Sequence, residues 1–141
     1  MERRRFVQTV CVACAAIASG GLPAVLASCA AADVYRGELV GGAIAVPASL
    51  LADGKARVIR SDGYPDDIAL IRNGSGEFTA LVLRCTHADN GLSERGDGFA
   101  CSLHGSRFDL EGRVTHGPAT APLRKLRTAV SGETVSILTG S

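Results

Sequence analysis

Tryptophan is absent, and the 141 residues include only two tyrosines, four phenylalanines and one methionine. An aromatic share of 4% rules out a core built on large rings, so any core must be small and aliphatic. Neither sign of charge dominates: 15 Lys and Arg face 14 Asp and Glu, for a formal net charge of +1. Such balance gives no electrostatic footprint for nucleic acid, and none is expected as a partner. The length suits one domain rather than two.

What is abundant is turn chemistry. Seventeen glycines and five prolines favour short strands over long helices. The stretches 38–47, 55–60, 67–73, 77–85, 122–130 and 133–139 read as strands. Between them lie Asp53-Gly54, Asp62-Gly63, the run NGSG at 73–76, and Ser131-Gly132. This pattern predicts an all-β sandwich or small barrel. The stretch HADNGLSERGDGFA, 87–100, reads as largely loop.

The N-terminus reads as an address. Arg3, Arg4 and Arg5 precede an Ala/Val-rich run with no charge between Phe6 and Asp33. A basic start, an apolar middle and small residues near the end are the parts of an export signal. RRRF resembles the twin-arginine export motif, and LASC, 26–29, resembles the lipobox of bacterial lipoproteins, which implies lipidation at Cys29. The alternative is an uncleaved apolar anchor over 6–27. The expected organisation is an export signal over 1–28, a tether over 29–37 and a folded domain over 38–141. The location is then the periplasm, tethered to a bacterial membrane. Cys11 and Cys14 form C-x-x-C but lie inside the signal and would leave with it. Cleavage before Cys29 leaves 113 residues, in which Cys85 and Cys101 are the only unmodified thiols.

Those two cysteines sit beside two of the three histidines: Cys85 with His87, and Cys101 with His104. A single disulfide in an exported protein would account for the cysteines alone. A Cys₂His₂ zinc site would use all four side chains, although C-x-H is tight for a zinc knuckle. A third option is a cluster of two irons.

C-x-H followed by C-x-x-H resembles the Rieske [2Fe–2S] signature. The likeness continues through CSLHGSRFDLEGRVTHGPATAPL, and covers roughly 38 to 138. It implies a Rieske-like antiparallel β-sandwich with a small cluster-binding loop subdomain, and one [2Fe–2S] cluster per chain. Cys85 and Cys101 would bind one iron, His87 and His104 the other. Histidine ligation leaves the cluster less negative than four thiolates do, which raises the potential to roughly −150 to +300 mV. By the same resemblance Ser106 sits where a serine hydroxyl approaches the cluster. Asn90 and Leu103 stand where high-potential members carry a bridging disulfide, and Phe108 stands where they carry a tyrosine. The resemblance thus implies a potential below that group and at or above Rieske-type ferredoxins. Gly105 is read as letting the backbone turn closely around the metal, and 116–123 resembles the proline loop covering the cluster. His116 reads as a surface residue.

The implied function is one-electron transfer by a membrane-tethered periplasmic carrier or electron-transfer subunit. Its redox partner would be a cytochrome c-like acceptor or a large catalytic subunit. One alternative is the small subunit of an arsenite-oxidase-like or quinol:cytochrome c oxidoreductase-like complex; another is a zinc- or disulfide-stabilised binding lipoprotein. Catalysis by this chain alone is not expected, since 113 residues cannot hold the additional iron domain of a Rieske oxygenase.

Overall fold

Ile68–Arg72 and Phe78–Val82 carry apolar residues at consecutive positions, which suits strands covered on both faces. The computed structural model, which describes residues 34–54 and 56–140, shows this arrangement. The strands are β1 (Val34–Arg36), β2 (Leu39–Val40), β3 (Ala43–Pro47), β4 (Arg57–Arg60), β5 (Ile68–Arg72) and β6 (Phe78–Val82). There follow β7 (Leu92–Glu94), β8 (Gly98–Cys101), β9 (Arg107–Asp109), β10 (Val114–His116), β11 (Lys125–Ser131) and β12 (Thr134–Leu138). A single 3₁₀ turn, Ala48–Leu51, joins the set, and no helix among the described residues is long and apolar enough to cross a membrane.

Eight strands form one sheet in the order β1-β4-β5-β6-β11-β12-β3-β2; four form another in the order β10-β9-β8-β7. The all-β expectation holds. Along β5, Ile68 and Leu70 enter one core while Ala69 and Ile71 enter another. Along β6, Ala80 and Val82 alternate in the same way with Leu81. The first core also takes Ile44 and Val46 of β3 and Val135 and Ile137 of β12, so the large sheet curls back on itself around them. The second core takes Phe99 of β8, Phe108 of β9, Leu92, Ala119 and Leu123, which brings the small sheet against the opposite face. Cys85 and Cys101 belong to that second core, at 1% and 3% exposure. Burial of their side chains is therefore part of the folding of the small sheet.

Three local expectations change. The stretch 38–47 is a hairpin rather than one strand: Gly41 and Gly42 both have positive φ, and Val40 pairs with Ala43. Two left-handed residues make the mirror-image turn whose twist suits a hairpin. The expected loop 87–100 contains β7 and most of β8, strands too short for alternation to register. Finally, Val34–Arg36, within the expected tether, pairs in parallel with β4, a departure from an all-antiparallel sheet. Its side chains explain the position, since Val34 packs on one core and Tyr35 on the other. The expected signal over 1–28 and Cys29 lie outside the described residues.

The turn between β9 and β10 is held by one carboxylate. Asp109 Oδ1 accepts the backbone N–H groups of Glu111 (3.0 Å) and Arg113 (2.8 Å), and Oδ2 accepts Arg113 Nε at 2.8 Å. Burial pushes the Asp109 carboxyl up, but these bonds and the Arg113 charge outweigh it and hold the group below its ordinary value. A carboxylate depressed in the native state stabilises the fold above its unfolded pKa, roughly 3.9. That contribution is lost as pH falls through the native value. Asp109→Asn should accordingly flatten the acid limb of a plot of Tm against pH, read by circular dichroism between about pH 2 and 5. Phe108, 1% exposed and opposite Phe99 in the register, is the larger packing element. Phe108→Ala should cost about 3–5 kcal/mol and lower Tm by more than about 10 °C in the same melts.

Candidate metal centre

Two loops of the same design adjoin the small sheet, one between β6 and β7 and one between β8 and β9. In the first, Arg84 bridges Gly91, and residues 85–90 form the loop. In the second, Ala100 pairs with Arg107, and residues 101–106 form the loop. Each begins with a cysteine whose N–H donates across the loop to the carbonyl of its last residue. Cys85 N–H reaches Asn90 O at 2.7 Å, and Cys101 N–H reaches Ser106 O at 2.8 Å. The cysteine carbonyl in turn accepts the N–H four residues on, from Asp89 and from Gly105, at 3.1 Å in both cases.

Closing the loop this way demands a left-handed residue at its fifth position. Gly105 supplies φ +82° and Asp89 φ +46°. Asp is among the few side chains that tolerate this region. Around Gly105 an added Cβ would meet no protein atom within 4 Å, so among protein contacts it is the backbone angle that calls for glycine. The tight turn read at Gly105 from the sequence thus has a left-handed backbone at its centre. Asp89 was not foreseen as its counterpart, although an Asp-Asn pair between strands is a turn signal.

The side chains separate by polarity. Cys85 and Cys101 point into the core as free thiols, so the disulfide alternative is not formed. His87 and His104 are exposed, with ring centroids 5.0 Å apart and planes at 88°, edge to face. Burial pushes the Cys101 thiol up. The Leu103 backbone N–H, the Asn90 amide, the His104 backbone N–H and the Cys85 side chain together bring it below its ordinary value. A sulfur surrounded by donors is prepared to be a thiolate ligand.

A third segment, 117–123, closes over these loops. Ala119 donates its N–H to Ser106 Oγ at 3.0 Å, and Thr86 Oγ1 donates to Ala121 O at 2.6 Å. Leu123 N–H bonds Gly112 O at 2.8 Å, while Ala119 and Leu123 are sunk in the core. The segment is thus pinned to both loops and to the β9–β10 turn. Thr86 was not singled out in the sequence, and nothing local marks a hydroxyl whose partner lies 35 positions away. His116, at the end of β10, is exposed, as expected of a surface residue.

Could these groups hold a metal? No set of three or more His, Cys, Asp or Glu side chains converges on a single-ion site among the described residues. A Cys₂His₂ zinc site needs four ligands around one ion. Two donors here and two there suit instead a binuclear cluster in which each iron takes two protein ligands and shares two sulfides. Ser106, 0% exposed, accepts the Ala119 N–H on its hydroxyl oxygen, an arrangement that leaves the hydroxyl able to donate its hydrogen. The donor set fits a [2Fe–2S] group.

Comparison with known proteins agrees. Residues 41–127 match the Rieske [2Fe–2S] domain family. The cytochrome b6-f complex iron-sulfur subunit of Chlorobaculum tepidum is 27% identical over 139 residues, 92% of this chain and 71% of that one. Subunit 1 of the same complex in Synechocystis is 31% identical over 96 residues, 68% of this chain and 49% of that one. The chain spans about half the length of several such relatives, including that of Chlorobaculum thiosulfatiphilum at 49%. Among solved structures, the cyanobacterial plasma membrane Rieske protein PetC3 of Synechocystis superposes with a TM-score of 0.55 at 26% identity, covering 64% of this chain and 93% of that chain. With paired cysteine and histidine loops on the small sheet, a matched domain over most of the folded chain and a shared fold, this chain belongs to the Rieske [2Fe–2S] family, and its cofactor is a Rieske-type cluster.

Proposed function

We propose that Cys85 and Cys101 would ligate one iron, that His87 and His104 would ligate the other, and that Ser106 would donate its hydroxyl hydrogen toward the cluster. The observation carrying this reading is the pair of matched hairpin loops, each opening with a core cysteine and presenting a solvent-facing imidazole. The bound cluster supplies one-electron chemistry at a potential set by its ligands.

The chain's own residues do the rest. The Cys85 and Cys101 thiolates sit in the apolar core, which keeps water from their half of the centre. The segment 117–123, tied down through Ser106 and Thr86, shields it from above. Exposure of His87 and His104 makes their end the route for electrons, because tunnelling favours the shortest approach by a partner. A ligating imidazole keeps its other ring N–H at the surface, where a proton can be held or released with the change of charge.

The function that follows is one-electron transfer by a protein tethered outside a bacterial cytoplasmic membrane. The N-terminal address, with Cys29 as lipid site or 6–27 as anchor, supports export to the periplasm and tethering there. The partner is a cytochrome c-like acceptor or a large catalytic subunit. A standing subunit role is favoured by the relatives, several of which are iron-sulfur subunits of cytochrome b6-f complexes. Native co-purification separates that role from a free carrier.

Protein purified from membranes should contain two iron atoms and two acid-labile sulfides per chain, and dithionite should elicit a rhombic Rieske-type electron paramagnetic resonance signal. A colourless protein without that signal would overturn the reading. Ser106→Ala should keep the cluster while lowering its midpoint in protein-film voltammetry by on the order of 59 mV, a tenfold change in a one-electron equilibrium.

A further inference from the structure

Asn90 occupies in the first loop the position that Ser106 occupies in the second. Each is the last residue of its loop, and each takes the opening cysteine's N–H on its carbonyl. Unlike Ser106, whose hydroxyl faces the segment 117–123, Asn90 reaches across to the other loop. Its Nδ2 donates to Cys101 Sγ at 3.7 Å, a reasonable length for the large sulfur atom, and to Gly91 O at 3.2 Å. One residue thereby touches both cysteines, Cys85 through its backbone and Cys101 through its side chain.

The orientation of the amide follows from charge. Facing a thiolate, the NH₂ end places a positive hydrogen against negative sulfur, whereas Oδ1 would set lone pair against lone pair. Partial burial of the bond removes competition from water and strengthens it. The two sulfurs also differ in their surroundings: the Asn90 side chain serves Cys101 and not Cys85 among the bonds described.

We infer that Asn90 is a positioning and tuning residue that clamps the first loop to the second through Cys101 Sγ and raises the reduction potential of the centre. The inference rests on the reading of Cys101 as an iron ligand. A donor to a ligand sulfur stabilises the more negative, reduced state more than the oxidised one. Asn90 also gives the two loops a polar tie where no covalent one joins them, since Cys85 and Cys101 are free and Leu103 is exposed.

Two variants of the full chain test it, each isolated with its cofactor. Asn90→Ala removes the donor and the volume, and Asn90→Leu removes the donor while filling a similar space. Both leave the backbone carbonyl that Cys85 uses. Both should retain iron and sulfide, keep a rhombic resonance signal with shifted g values, and show an about tenfold weaker reduction equilibrium, a fall of about 59 mV for a one-electron couple. Midpoints unchanged in both, or restored by leucine alone, would overturn the inference, the second by showing that packing is all the residue supplies. Loss of the cluster from both variants, with the parent protein loaded, would make Asn90 a structural clamp only and equally overturn it. A parent protein with no resonance signal would sink the ligand assignment itself, a failure distinct from that of Asn90.

Discussion

A cysteine amide that bonds across its own hairpin loop fixes two things together. It shapes the loop into a tight arch, and it turns the cysteine side chain inward, toward the sheet from which the loop springs. Cys85 with Asn90 and Cys101 with Ser106 do this in the same way. The arches depend on one left-handed residue each, Asp89 and Gly105. With the backbone so constrained, sulfur goes to the core and imidazole to solvent, and the polarity of the centre follows without further machinery.

The arches need a floor, and the two-faced strands supply it. Leu81 and Leu83 beneath the small sheet belong to the same core as Phe99, Phe108 and both cysteines. The other face of the same strands packs on β3 and β12. An apolar floor matters to a thiolate centre because it removes water from the sulfur side, so hydrogen bonds to sulfur count for more. Backbone and side-chain donors around Cys101 then act in a medium where each has a measurable effect on charge.

Rigidity comes from polar ties between loops. Ser106 receives Ala119, Thr86 reaches Ala121, Asn90 reaches Cys101, and Asp109 gathers the turn below. The neutral ties are worth about 0.5–1.5 kcal/mol each, and the bonds to the charged Asp109 carboxylate about 1.5–3. Three of them join the three segments 85–90, 101–106 and 117–123, the fourth braces the β9–β10 turn, and together they leave the cysteine and histidine side chains little freedom to move. Small structural change on reduction is what fast electron transfer requires, and the same ties leave His87 and His104 exposed.

Sequence by itself determined the chemistry and the class of fold. Candidate ligands are read from spacing, because C-x-H and C-x-x-H are local, and the strands β5, β6, β11 and β12 carry runs long enough to be seen. It could not show that β1 belongs to the sheet, that 38–47 doubles back at two glycines, or that 87–100 forms half of a second sheet. Strands β1, β2, β7 and β8 have only two to four residues, and the partner of β1 lies more than twenty positions away. Tertiary structure alone decided which hydroxyl and which amide meet which loop: Thr86 and Ala121, Ser106 and Ala119, Asn90 and Cys101 are brought together by sheet packing, and no local preference encodes a bond across 11 to 35 positions. The physical reason is one of range: the order of cysteines and histidines is covalent and local, whereas their surroundings are assembled only when the two cores close.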